Sequence, residues 1–96
     1  MQRDEVIDKI TPHIQELRDM GVQSLALFGS TVRNEARPDS DVDMLVDLAP
    51  PNTFRQYMKV KFFLQNLLGL EVDLIMRTAL KDELRSIVER EAVHVA

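Results

Sequence analysis

Leu27-Phe28-Gly29-Ser30, and then Pro38-Asp39-Ser40-Asp41-Val42-Asp43-Met44-Leu45-Val46, are the stretches on which the reading of this chain turns. An apolar run ends in a small turn pair, and after a short spacer two aspartates alternate with apolar residues. Alternation has the period of a strand, so Asp41, Asp43, Leu45 and Asp47 fall on one face and Val42, Met44, Val46 and Leu48 on the other. A glycine after a strand lets the backbone approach a ligand closely. Amides at the start of a following helical turn can donate to phosphate, and the Ser30 hydroxyl adds a donor. Together the pieces can set a phosphate cradle beside a carboxylate pair able to hold a divalent cation.

Working outward, Ser24 to Phe28 is mostly apolar and reads as a short strand. Before it, Val6, Ile7, Ile10, Ile14 and Leu17 have helical spacing over Asp4 to Met20. Pro12 falls inside that helix and either kinks it or marks a later start; Gly21 is the stop. Residues Thr31 to Asn34 suit one helical turn. After the second strand, Val42 to Leu48, Ala49-Pro50-Pro51-Asn52 breaks the pattern and Thr53 can cap the next helix. Phe54 to Leu68 is that helix, with an apolar stripe wider than one core face needs. Gly69 ends it. Glu71 to Ile75 is a third strand, and Lys81 to Glu91 a last amphipathic helix. Val93-His94-Val95 is a short edge strand or a frayed tail. The order α-β-(short α)-β-α-β-α fits an α/β fold in a single domain over residues 1–96, with helices packed on a small sheet.

Composition narrows the function classes. The chain has 96 residues, 45% of them hydrophobic but only 5% aromatic and none of them Trp, so one modest aliphatic core is expected. A net charge of −4 argues against a nonspecific nucleic-acid binder. With no Cys, disulfides, thiolate metal sites and Cys nucleophiles are excluded. No apolar run approaches a membrane span, and Met1-Gln2-Arg3-Asp4-Glu5 does not read as a signal peptide. A soluble, cytoplasmic protein is expected.

Asp41 and Asp43 point the same way and repel; a bound cation removes the conflict. Magnesium suits carboxylate oxygens completed by substrate phosphates, and two such ions can clamp the attacking and leaving oxygens of a phosphoryl displacement. Asp73 sits inside an apolar strand, a costly place for a carboxylate that is neither paired nor coordinating. If its strand neighbours the second one, it completes a three-carboxylate site as metal ligand or general base. Arg33 and Arg37 lie between the halves of the motif, where either can offset triphosphate charge. Asp47 reads as a solvated face residue. His13 and His94 are isolated and lack metal-ligand spacing.

Gly29-Ser30, ten residues, Asp41-Val42-Asp43 and a third Asp on a later strand resemble the signature of the DNA polymerase β nucleotidyltransferase superfamily. The run from Phe28 to Asp43 narrows the resemblance to minimal nucleotidyltransferases, the MntA-type antitoxins encoded beside HEPN-domain toxins in prokaryotes. The resemblance covers nearly the whole chain. It implies a small mixed sheet flanked by helices, with Asp41, Asp43 and Asp73 as catalytic carboxylates holding two Mg2+ ions. Gly29, Ser30 and Arg33 would hold the triphosphate of ATP. It further implies transfer of AMP to a hydroxyl, a tyrosine of a partner HEPN toxin, as in a type VII-like toxin–antitoxin system. The alternative is an antitoxin that neutralises its partner mainly by direct binding, with weak or no catalysis. Asn34 stands where relatives often carry Gly, and Thr31 where many carry a basic residue. The wide apolar face of Phe54 to Leu68 is either core or an interface, and a homodimer or a hetero-oligomer with the partner fits the latter.

Overall fold

The computed structural model describes residues 2–29, 32–33, 41–51 and 53–96. The first helix predicted over 4–20 is split. Helix α1 (Arg3–Ile10) opens with a reciprocal cap between Gln2 and Glu5. A 3-10 turn, Thr11–His13, carries Pro12, and α2 (Ile14–Asp19) follows. Pro12 has no amide to donate to the preceding turn, so the α ladder stops there and resumes past it. The apolar stripe survives the break: Val6, Ile10 and Leu17 are all buried.

Strand β1 (Val22–Phe28) begins two residues before its predicted start and pairs antiparallel with β2 (Val42–Leu48). Thr53 caps α3 (Phe54–Leu68), its hydroxyl accepting from the Gln56 amide at 3.2 Å. Gly69 closes that helix at φ 71°, a left-handed value that glycine adopts without a Cβ clash. The crossover through α3 returns β3 (Val72–Met76) parallel to β2. A 3-10 turn, Arg77–Ala79, leads to α4 (Asp82–Glu91). The tail is ordered into a short edge strand, β4 (Val93–His94), antiparallel to β1. The resulting mixed sheet has the order β3-β2-β1-β4.

One face of this sheet holds the core. Leu25 and Leu27 of β1, and Val42, Met44, Val46 and Leu48 of β2, meet Val60, Leu64 and Leu68 of α3 and the stripe of α1 and α2. All are aliphatic or Met, as the scarcity of aromatics requires. The wide stripe of α3 divides: Val60, Leu64 and Leu68 enter the core, whereas Phe54 and Phe62 remain exposed. On the opposite face Asp47 is not a solvated bystander. It accepts from Ser24 Oγ at 2.9 Å and from Arg77 at 3.3 Å, and Arg77 also pairs with Glu89 of α4. This bridge fastens the last helix to the sheet. Among the described residues, no helix is long and apolar enough to cross a membrane.

Candidate active site

The sheet register brings the aspartates together. Asp43 lies opposite Phe28, the last residue of β1, and on its other side is level with Asp73 of parallel β3. Neighbouring strands are about 4.8 Å apart, so the two carboxylates share one patch of the sheet face. Asp41 stands just before β2. Asp43 is half-buried, while Asp41 and Asp73 are exposed. Asp73 therefore departs from expectation in its burial. Its neighbours Val72 and Leu74 point into the core and it points out, as strand alternation dictates. Its claim on the site comes from its register with Asp43.

Electrostatics bind the group into one unit. Burial raises the Asp43 pKa above the ordinary carboxylate value; the Asp73 and then the Asp41 carboxylates raise it further, and Arg33 pulls against them. A negative charge opposed by desolvation and two like neighbours is the condition that a divalent cation relieves. The donor set is all oxygen, which suits magnesium. Among the described residues, no three His, Cys, Asp or Glu side chains form a ready-made metal cage. Magnesium seldom uses such cages: one or two carboxylates, water and substrate phosphates complete its octahedron. Asp41, Asp43 and Asp73 can supply the carboxylates.

Gly29 is fitted to this patch twice over. Its φ of 73° lies in the left-handed region, and a Cβ there would come within 2.3 Å of Asp43 Oδ2. The glycine lets the turn close directly over the carboxylate. Arg33 donates its amide to the Gly29 carbonyl at 3.4 Å; the helical turn expected over Thr31 to Asn34 lies largely outside the described residues. Its guanidinium donates to Glu91 at 3.0 Å, which ties the turn to the end of α4. The expectations for Ser30, Thr31, Asn34, Arg37, Pro38, Asp39 and Ser40 fall outside the described residues.

Sequence reasoning did not place Phe54 and Tyr57 here. With Asp73, Ile75, Met76 and Ala79 they line an open groove of about 590 Å3 on the outer side of β3. Phe54 is 76% exposed. The available signal was Thr53, which fixes Phe54 as the first residue of its helix, where a side chain overhangs the end of the core rather than entering it.

Residues 7–95 match the family model of the nucleotidyltransferase domain. This chain belongs to the nucleotidyltransferase family. Protein adenylyltransferase MntA of Thermococcus cleftensis is 42% identical over 93 residues, spanning 96% of this chain and 94% of that relative. A solved minimal nucleotidyltransferase superposes with a TM-score of 0.85 at 32% identity, over 97% of this chain and 95% of the other. A chain of a toxin–antitoxin structure with AMP-PNP gives a TM-score of 0.74 at 25% identity, over 94% of this chain and 72% of the other. The α/β fold and mixed sheet implied by the resemblance are thus those of a minimal nucleotidyltransferase, and this nucleotidyltransferase is a homologue of MntA.

Proposed function

We propose that this nucleotidyltransferase is a magnesium-dependent protein adenylyltransferase, moving AMP from ATP to a tyrosine hydroxyl of a HEPN-family toxin and so acting as its antitoxin. The observation that carries this reading is the level pairing of Asp43 with Asp73 beside a glycine turn where a Cβ would displace the Asp43 carboxylate. The AMP-PNP in a structurally similar toxin–antitoxin chain supports ATP as the donor.

In this reading the turn at Gly29 and Ser30 receives the triphosphate through backbone amides, with Arg33 adding positive charge. Asp41, Asp43 and Asp73 would hold the magnesium. When bound, the metal neutralises phosphate charge and stabilises the attacking and leaving oxygens of an in-line displacement. Asp73, exposed and level with Asp43, accepts the proton of the acceptor hydroxyl. The acceptor oxygen bonds to the α-phosphorus, the bond to the bridging α–β oxygen breaks, and pyrophosphate leaves.

The test is intact-mass spectrometry of the HEPN partner after incubation with this protein, magnesium and ATP, beside an Asp41→Asn, Asp43→Asn control. Added AMP that disappears with the aspartates is expected. The control should lose more than about 100-fold in rate, beyond what removal of an outer-shell partner costs a metal site. A second reading, neutralisation by binding, is favoured by Phe54, Phe62, Leu84 and Ile87, large apolar side chains at 50–76% exposure. It predicts an unmodified partner in a tight complex, and neutralisation that survives both Asn substitutions.

A further inference from the structure

The groove beyond Asp73 has a composition that its neighbours do not explain. Phe54 and Tyr57 stack with ring centroids 6.3 Å apart and planes 29° from parallel. The Tyr57 hydroxyl donates to the Leu74 carbonyl, so that residue offers the groove its ring and not its oxygen. Ile75, Met76 and Ala79 supply aliphatic wall, and Asp73 supplies a carboxylate. Phe54 leaves most of its surface in water, although transfer of such a ring out of water is favourable. A stacked aromatic surface ending in a carboxylate is matched by a flat ring ending in a hydroxyl.

We propose that this groove receives the acceptor: a tyrosine side chain on an exposed segment of the partner protein, stacked on Phe54 with its hydroxyl at Asp73. The proposal rests on the nucleotidyl-transfer reading above and deepens it. Its geometric basis is the order of parts across the sheet. Gly29 follows β1, Asp43 lies on the adjacent β2, Asp73 on β3 at the sheet edge, and the groove lies beyond. An in-line displacement needs the entering and leaving oxygens on opposite sides of the phosphorus. With pyrophosphate leaving toward the glycine turn, the nucleophile enters from the β3 side, through this groove. A second cavity among the described residues, of about 30 Å3 between Ser24, Asp47, Arg77 and His94, is too small for a side chain. Phe54 thus selects the acceptor and Asp73 takes the phenolic proton as the new oxygen–phosphorus bond forms and pyrophosphate departs.

The test is NMR titration of the full chain, with magnesium and AMP-PNP present, using N-acetyl-L-tyrosinamide as the acceptor probe. The expected result is a set of shifts confined to residues 53–57 and 73–79, with none from N-acetyl-L-serinamide. Phe54→Ala should weaken the tyrosinamide response at least tenfold and leave the AMP-PNP response at Gly29 and Asp43 unchanged. In turnover it should raise the KM for the protein acceptor without moving the KM for ATP. If AMP-PNP shifts the Phe54 ring and displaces tyrosinamide, the groove is a base site and the proposal is wrong. Tyrosinamide shifts elsewhere, or none, would also overturn it. A chain in which AMP-PNP leaves Gly29 and Asp43 unmoved would instead sink the nucleotidyl-transfer reading, and the acceptor groove with it.

Discussion

At Asp43, burial and the neighbouring Asp73 and Asp41 carboxylates hold the pKa above its ordinary value, against the smaller opposing pull of Arg33. The native state therefore binds this proton more tightly than the unfolded chain does. By linkage, its contribution to stability is fully present below the unfolded pKa of about 3.9 and is lost as pH rises through the folded value. Asp43→Asn removes that loss. The ligand-free variant should match the parent in acid and melt above it at neutral pH, and thermal denaturation of both across pH 3–8 checks this. A parent that outlasts the variant at pH 7 would contradict the electrostatic account. In the proposed reaction the same substitution should abolish transfer, because the charge that burial disfavours is the one that would hold a metal. Gly29→Ala acts on the same pair from the other side. Left-handed backbone costs a non-glycine residue about 1–2 kcal/mol, and the new Cβ would push the Asp43 carboxylate aside. A melting temperature lower by roughly 4–8 °C per kcal/mol is expected, with a weakened AMP-PNP response.

Among elements, α3 separates residues that its sequence makes look alike. Leu64 is fully buried against the sheet, whereas Phe62, two residues earlier, is 52% exposed. At 3.6 residues per turn, a step of two crosses to the far side of a helix. Leu64→Ala should cost about 2–5 kcal/mol, through lost transfer energy and the cavity left behind. Phe62→Ala should stay within about 0.5 kcal/mol. Urea denaturation of the two variants checks the contrast; equal costs would mean that Phe62 is covered in solution. In the first helical segment, Pro12 was legible as a break, but a kink and a fresh start fit the sequence equally well. What decided was the need to keep Val6, Ile10 and Leu17 on one core while the chain passed a residue that cannot donate.

For the whole molecule, the site is assembled from three strands and closed by a bridge to the last helix. Binding of magnesium and nucleotide should stabilise all of it by mass action. At a ligand concentration 100 times Kd the gain is about 2.7 kcal/mol, or roughly 10 °C or more in melting temperature for a domain of this size. Scanning fluorimetry with magnesium, AMP-PNP and both together measures it. The pair should exceed the sum of the separate shifts, because phosphate oxygens complete the metal's ligand shell. Strictly additive small shifts would argue against a shared site.

Local chemistry was legible in the sequence. Strand alternation placed Asp41 and Asp43 on one face, Thr53 and Gly69 bounded α3, and Gly29 marked a close approach, because these follow from backbone geometry within a few residues. The family motif linked those pieces to nucleotidyl transfer. Only the tertiary structure decided which strand lies beside which. The parallel return of β3 next to β2 makes Asp73 a neighbour of Asp43, a fact of register that its own apolar surroundings do not encode. Pairing of β2 with β1 and with β3 turned Asp47 from a surface acid into an anchor for Ser24 and Arg77. The tertiary structure also set Phe54 and Tyr57 beside Asp73 to form the groove. Contacts between residues distant along the chain depend on how whole elements pack, and no short-range period carries that information.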